Sequence, residues 1–216
     1  MRPGSYYRAQ IFKSFNIMAR GGNVLDVGSY DGYWLSTQVA KQKYALDIDI
    51  VKKYSGIHYV QHTALDIPFK DGTFDQVFAF DVLEHIEIGK EEQFFNELIR
   101  VCKKNGEIIL SIPSKAIKLF PGFLTNYISR KWGHSKCNGY SENELIMFLS
   151  ERENIRYEII PNNAPYFRTF YIFVRILWYF IPIITKKMIS IISYYDYRKH
   201  EGSTGFYIVK INKLSD

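Results

Sequence analysis

Asn23-Val24-Leu25-Asp26-Val27-Gly28-Ser29-Tyr30-Asp31-Gly32-Tyr33-Trp34, followed by Tyr44-Ala45-Leu46-Asp47-Ile48-Asp49, decides the fold. Apolar residues ending in Asp-Val-Gly predict a buried strand, and the two glycines permit close backbone approach to a ligand. A stretch of helical character and a second strand ending in acid follow, which is the layout of a nucleoside-binding α/β unit. In a parallel sheet the ligand lies outside the carboxyl ends of the strands, so Gly28, Gly32 and Asp47 face one crevice. An ionised carboxylate there accepts from both vicinal hydroxyls of a ribose. Nicotinamide dinucleotides use a similar layout, but their fingerprint wants G-x-G-x-x-G so that a pyrophosphate lies on the helix N-terminus. Gly28-x-x-x-Gly32 has Tyr30 between and no third glycine at the required offset, which argues against a pyrophosphate and an oxidoreductase.

Downstream, Ile67-Pro68-Phe69-Lys70-Asp71-Gly72-Thr73-Phe74-Asp75 runs into Val77-Phe78-Ala79-Phe80-Asp81-Val82-Leu83-Glu84-His85-Ile86. Glu97-Leu98-Ile99-Arg100-Val101-Cys102-Lys103-Lys104-Asn105-Gly106 then leads into Glu107-Ile108-Ile109-Leu110-Ser111-Ile112-Pro113. In this order the motifs resemble the class I S-adenosylmethionine-dependent methyltransferases, nearest to the ubiquinone/menaquinone-biosynthesis-like branch. The resemblance covers roughly residues 22 to 113 well.

The resemblance implies a doubly wound, Rossmann-like α/β fold with seven strands, mostly parallel, the last antiparallel. It implies S-adenosylmethionine as methyl donor, with Gly28, Tyr30 and Gly32 around the methionine portion, Asp47 on the ribose, and Thr63 and Ala64 near the adenine. Asp26, Ser29, Ile48 and Phe80 complete the donor site. Three positions depart from the family pattern: Tyr30 replaces a glycine, Thr63-Ala64 an Asp-Ala pair, and Lys104-Asn105 a Pro-Gly pair. Asn105 tolerates the left-handed conformation a helix end needs. At Thr63 a hydroxyl stands where a carboxylate would accept from the adenine amino group, which weakens or re-routes base recognition.

Composition agrees with one enzyme-sized domain over residues 1–216: 47% hydrophobic and 23% charged is globular. Cys102 and Cys137 give no disulfide framework and suit a reducing compartment, the cytoplasm. Met1 to Arg20 mixes basic residues with aromatics and predicts an amphipathic helix over the sheet or pocket rather than a signal peptide. Strands are predicted near 23–28, 43–48, 57–61, 74–80 and 106–112, and helices near 31–41 and 90–103. Ser141-Glu142-Asn143-Glu144 is a capping box opening a further helix. Ile155 to Ile160 and Phe206 to Ile211 complete the sheet.

Between those last strands lies a helical insertion, about Ala164 to Lys199, with an aromatic and aliphatic run from Phe167 to Ile181 broken by Arg175 and followed by Pro182. A spanning helix needs about 18 or more uninterrupted apolar residues, so spanning is disfavoured. The run and its basic residues suit an interfacial segment giving peripheral membrane contact, or an apolar lid. A helix pair packed on the domain's own core fits equally well. The net charge of +6 is spread along the chain. Arg130-Lys131, Lys136 and the insertion's basic residues could form a patch, but no RNA-binding motif accompanies it, so an RNA substrate is disfavoured.

Methyl transfer from a sulfonium needs alignment and water exclusion, and a hydroxyl acceptor also needs a base. His85, after the predicted strand 74–80, stands at the carboxyl edge as that candidate base; a structural role through Glu84 or backbone is the alternative. His134 and Tyr140 precede the capped helix and are candidates for the acceptor pocket. His134-x-x-Cys137 has no second ligand pair, and no metal is expected. The expected function is methyl transfer, O-methylation favoured, to a small or lipid-linked acceptor. A catalytically silent nucleoside-binding protein is the rival, motivated by Tyr30, Thr63 and Asn105.

Overall fold

The computed structural model describes residues 3–117, 127, 130, 131, 133–135, 139–199, 202 and 205–215. Its strands are β1 (Asn23–Val27), β2 (Gln42–Asp47), β3 (His58–Gln61), β4 (Phe74–Phe80), β5 (Cys102–Pro113), β6 (Ile155–Asn162) and β7 (Phe206–Lys213). They form one sheet of order β3-β2-β1-β4-β5-β7-β6. β7 runs antiparallel to both neighbours and the other strands are mutually parallel, so the expected α/β class and seven-stranded topology hold. The order reverses beside β1, and ligands in such sheets bind at that point, beyond the carboxyl ends.

Helices cover both faces. On one side α3 (Glu91–Val101) and α4 (Glu142–Ser150) bury Phe94, Phe95, Leu98, Leu145 and Leu149 against Leu25, Val77 and Leu110. The capping box that opens α4 is formed: Ser141 Oγ accepts from the Glu144 amide and the Ser141 amide donates to Glu144 Oε2 at 2.8 Å. On the other side lie α1 (Pro3–Ser14) and a helical hairpin, α5 (Pro165–Phe180) and α6 (Pro182–Arg198). α1 buries Tyr7, Ile11 and Phe12 over Val24 and Phe78, so the N-terminal helix does cover the sheet.

Two elements differ from expectation. The helix expected over 31–41 is a single turn, α2 (Tyr33–Ser36). Ser36 Oγ and Thr37 Oγ1 donate to the carbonyls of Tyr33 and Trp34, and such local bonds compete with helix propagation. The chain then turns into β2, with the amides of Lys41 and Gln42 donating to Gly22 O. The helix expected over 90–103 ends at Val101, and β5 starts at Cys102. Asn105 is left-handed (φ 59°), but at a shift of the β4–β5 register rather than at a helix end. Gly106 is required there, since a Cβ would lie 2.6 Å from Cys102 Sγ and 2.8 Å from Lys103 O.

The hairpin is built around Asp196. Its carboxylate accepts from the amides of Tyr166 (2.8 Å) and Phe167 (3.0 Å) in the first turn of α5, and from Tyr7 Oη of α1 (2.9 Å). A helix leaves its first four N–H groups unsatisfied, so this α6 side chain serves as the cap that Ala164 cannot supply. The Tyr7 ring stacks on Phe167 at 3.9 Å, and Tyr6 meets Trp178 at 5.9 Å.

Candidate active site

The carboxyl edge of the parallel strands carries Gly28 after β1, Asp47 at the end of β2, Thr63 after β3, and Phe80 and His85 at and after the end of β4. Gly28 is left-handed (φ 70°) and a Cβ on it would meet Val82 Cγ2 at 2.4 Å. Gly32 is left-handed too, and its Cβ would meet Tyr59 Oη at 2.5 Å. Both glycines are thus demanded by the chain's own packing. The amides of Gly28 and Ser29 donate to Leu46 O, tying the loop to the end of β2.

Asp47 is half-buried, and its two oxygens each accept one backbone N–H: Tyr30 at 2.6 Å and Asp49 at 3.0 Å. A carboxylate has about four lone-pair sites, so two remain for a ribose diol, and the amides orient the group. The residues present therefore fit the ribose of a nucleoside. Tyr30 takes the left-handed conformation (φ 53°) in which its amide reaches Asp47. Its ring and the side chain of Ile48 are exposed beside that carboxylate. Asp26 is buried beneath the loop, and burial, then the charges of Asp47 and Asp31, push its carboxyl well above the usual range. Thr63 Oγ1 accepts from the Leu65 amide at 3.2 Å, so its hydroxyl serves the local turn beside the buried Ala64. Phe80 packs between Phe12 (4.3 Å) and Trp34 (4.9 Å).

His85 sits in the 3₁₀ turn Leu83–His85 directly beyond β4, with its ring exposed. Its Nδ1 lies 3.1 Å from Gly133 O. A carbonyl only accepts, so Nδ1 carries a proton, and in the neutral form of the ring Nε2 is the nitrogen with the lone pair. His134 meets His85 edge-on at 4.8 Å. Burial, then the charge of His85, lowers the His134 pKa to about 4, which keeps this imidazole neutral. Tyr140 is fully buried, its hydroxyl donating to Leu83 O (3.3 Å) and Glu91 Oε1 (3.2 Å). It supports the turn carrying His85 from within the core and does not line an open pocket, which corrects the expectation drawn from its loop position.

Asp81 and Arg8 at this edge went unmarked in the sequence, and Glu84 was marked there only as a partner of His85. Asp81 is left-handed (φ 54°), accepts from Ser111 Oγ at 2.8 Å and is ion-paired with Arg8 of α1. Glu84 is fully buried with neither carboxylate oxygen hydrogen-bonded. The bond from His85 goes to backbone, not to Glu84. A signal for Glu84 was available, since an acid inside the apolar Val82-Leu83-x-x-Ile86 pattern must turn inward; Arg8 carried none. One donor atom each from Glu84, His85 and His134 lie within 4.8 Å of one another, and among the described residues this is the one His/Cys/Asp/Glu group able to hold a metal ion. Cys137 and Lys136 lie outside the described residues. A basic surface hollow lined by Arg100, Lys103, Arg152 and Lys213 is at the opposite edge of the sheet.

Glu84 yields a pH prediction. Burial, then the charge of Asp81, raises its pKa well above the ordinary carboxylate value. Between the ordinary and the raised value the folded protein keeps a proton that the unfolded chain has released, so stability falls as pH rises through that window. Glu84→Gln removes the dependence. Calorimetric unfolding at pH 5 to 8 is expected to show the variant gaining on the wild type with rising pH, at most by about 1.4 kcal/mol per pH unit. A pH-independent difference would mean that Glu84 is ionised in the folded state.

Residues 25–110 match a family described as methyltransferase domain. A probable S-adenosylmethionine-dependent methyltransferase of Mycobacterium tuberculosis is 30% identical over 108 residues, 46% of this chain and 38% of the relative. Norajmaline N-methyltransferase of Rauvolfia serpentina is 40% identical over 47 residues, 22% of this chain and 15% of the relative. The chain thus spans well under half the length of the curated relatives it matches. Among solved structures, phosphoethanolamine N-methyltransferase 2 of Haemonchus contortus with S-adenosyl-L-methionine superposes with a TM-score of 0.65 at 15% identity, covering 98% of this chain and 53% of that one. The N-methyltransferase NodS of Bradyrhizobium japonicum WM9 with S-adenosyl-L-homocysteine gives 0.55 at 11% identity, covering 98% and 87%. The sheet thus has the fold that these solved methyltransferases share, and residues 25–110 are similar to a methyltransferase domain.

Proposed function

We propose that this protein transfers the methyl group of S-adenosylmethionine to a hydroxyl of a small or lipid-linked acceptor, with His85 as the base. When bound, S-adenosylmethionine supplies a methyl on a sulfonium that leaves as a neutral thioether, so the protein's task is placement and proton removal. Asp47 holds the ribose. Asp26, Gly28, Ser29, Tyr30 and Gly32 shape the loop at the methionine portion, with Thr63 and Ala64 on the adenine side. The single observation that carries the reading is the His85 ring: exposed beyond β4, with Nδ1–H spent on Gly133 O and Nε2 left to accept the acceptor's proton. His134, kept neutral beside it, lines the acceptor side. A lipid-linked acceptor is favoured because the apolar hairpin rises from this same edge. The hydroxyl preference over carbon or nitrogen, and the ubiquinone/menaquinone-like branch, rest on the need for a base and on the motif resemblance.

A catalytically silent, nucleoside-binding role is supported by Thr63, whose hydroxyl is engaged in its own turn. Thermal shift with S-adenosylmethionine, its demethylated product and NAD, followed by slow-turnover assay for the demethylated product, separates the readings. Stabilisation by the first two with turnover supports the enzyme, stabilisation without turnover supports the silent protein, and stabilisation by NAD alone overturns both.

A further inference from the structure

The α5–α6 hairpin settles one question left open by its sequence, since only one face of it is core. Phe167, Tyr171, Val174 and Ile189 are buried, whereas Phe170, Phe173, Ile176, Ile191, Tyr194 and Tyr195 are exposed. At the turn between the helices every residue from Tyr179 to Ile184 is exposed, with Tyr179 at 78%, Phe180 at 77% and Ile183 at 74%. Monomeric soluble domains rarely leave so many large apolar side chains together in water, and such patches mark interaction surfaces. Exposed Lys186 and Lys187 follow directly, and Lys186 Nζ lies 6.0 Å over the Trp178 ring.

From Pro165 to Lys199 there are six basic residues and one acid, and that acid, Asp196, is buried as the cap of α5. The presented charge is therefore wholly positive. An apolar wedge, a tryptophan behind it and a collar of lysines match the depth profile of a bilayer surface with anionic headgroups. Spanning is ruled out by length: no described helix is long and apolar enough to cross a membrane. The 16 residues of α5 reach about 24 Å at 1.5 Å per residue, short of a hydrocarbon core of about 30 Å.

We infer that the α5–α6 hairpin is an interfacial anchor that seats this domain on anionic membrane, its 179–184 tip inserted among the headgroups and Lys186 and Lys187 paired with them. The anchor is placed to serve the active site. β6 ends and β7 begins at the carboxyl edge of the sheet, so the hairpin inserted between them rises from the edge that carries Asp47 and His85. α1 touches both, with Tyr7 on Asp196 and Arg8 on Asp81. Docking turns the catalytic edge toward the membrane, which is where a lipid-linked acceptor presents its head; that consequence rests on the function proposed above, while the anchoring itself does not.

Co-sedimentation with phosphatidylcholine vesicles, with and without about 30% phosphatidylglycerol, tests it. The wild type is expected to sediment with the anionic vesicles and much less with the neutral ones. Lys186→Glu with Lys187→Glu should weaken partitioning by about tenfold or more, and Phe180→Ser with Ile183→Ser should abolish it. All four positions are exposed, so an unchanged melting temperature and unchanged donor binding are expected. Wild-type protein remaining in the supernatant with every lipid mixture overturns the anchor, as does sedimentation indifferent to both double substitutions. So does a dimer in sedimentation velocity that the Phe180/Ile183 variant dissociates while vesicles capture nothing. Donor binding read by thermal shift is independent of lipid, so failure of the anchor and failure of the methyltransferase reading are told apart.

Discussion

Replacing His85 with alanine is expected to lower the rate of methyl transfer by about two to four orders of magnitude while donor binding is retained, the range spanned when a positioned general base is lost. Alanine also removes the hydrogen bond to Gly133 O and, with it, a tie between the turn after β4 and the segment bearing His134. His85→Asn separates the two roles, because its amide can still donate toward that carbonyl but offers no basic nitrogen. If the base is what matters, both variants lose activity alike under donor saturation. Asparagine restoring most of the rate would leave His85 as a positioning residue only. Single-turnover assays with a hydroxyl-bearing acceptor provide the measurement, and donor affinity by calorimetry is the control.

Asp47→Ala is expected to weaken donor binding by roughly 1.5–3 kcal/mol, about 10- to 150-fold. Two contributions add. The carboxylate would no longer accept from the ribose hydroxyls, and the amides of Tyr30 and Asp49 would lose the acceptor that shapes the loop around the donor. Asp47→Asn distinguishes them: its carbonyl oxygen still accepts from one of the amides, but charge-assisted contact with the diol is gone. Calorimetric titration that found unchanged affinity in the alanine variant would remove Asp47 from the ribose and with it the main support for the donor's placement.

What the sequence determined alone was local and periodic. Alternating apolar runs, Gly28, Gly32, the acid at Asp47 and the Ser141–Glu144 box each act over a few residues through backbone conformation or hydrogen bonding, so strands β1 to β7, the α4 cap and the position of Gly28 and Asp47 at the carboxyl edge were foreseeable from it. The chain after Gly32 failed that test because the side chains of Ser36 and Thr37 competed with the helix, a contest that propensity does not arbitrate. Only tertiary structure decided the rest. Arg8 reaches Asp81, Tyr7 reaches Asp196 and Tyr140 reaches Glu91 across separations in sequence that carry no pattern. Tyr140, polar and in a loop, looked available to an acceptor, but its bridge to Ser114 beyond β5 and its bond to Glu91 hold it in the core. The hairpin's apolar run was plain to read, yet which of its faces meets the sheet and which meets water depends on where α1 and Asp196 hold it. Periodicity along one helix names a face; only the neighbours packed against it determine what that face touches.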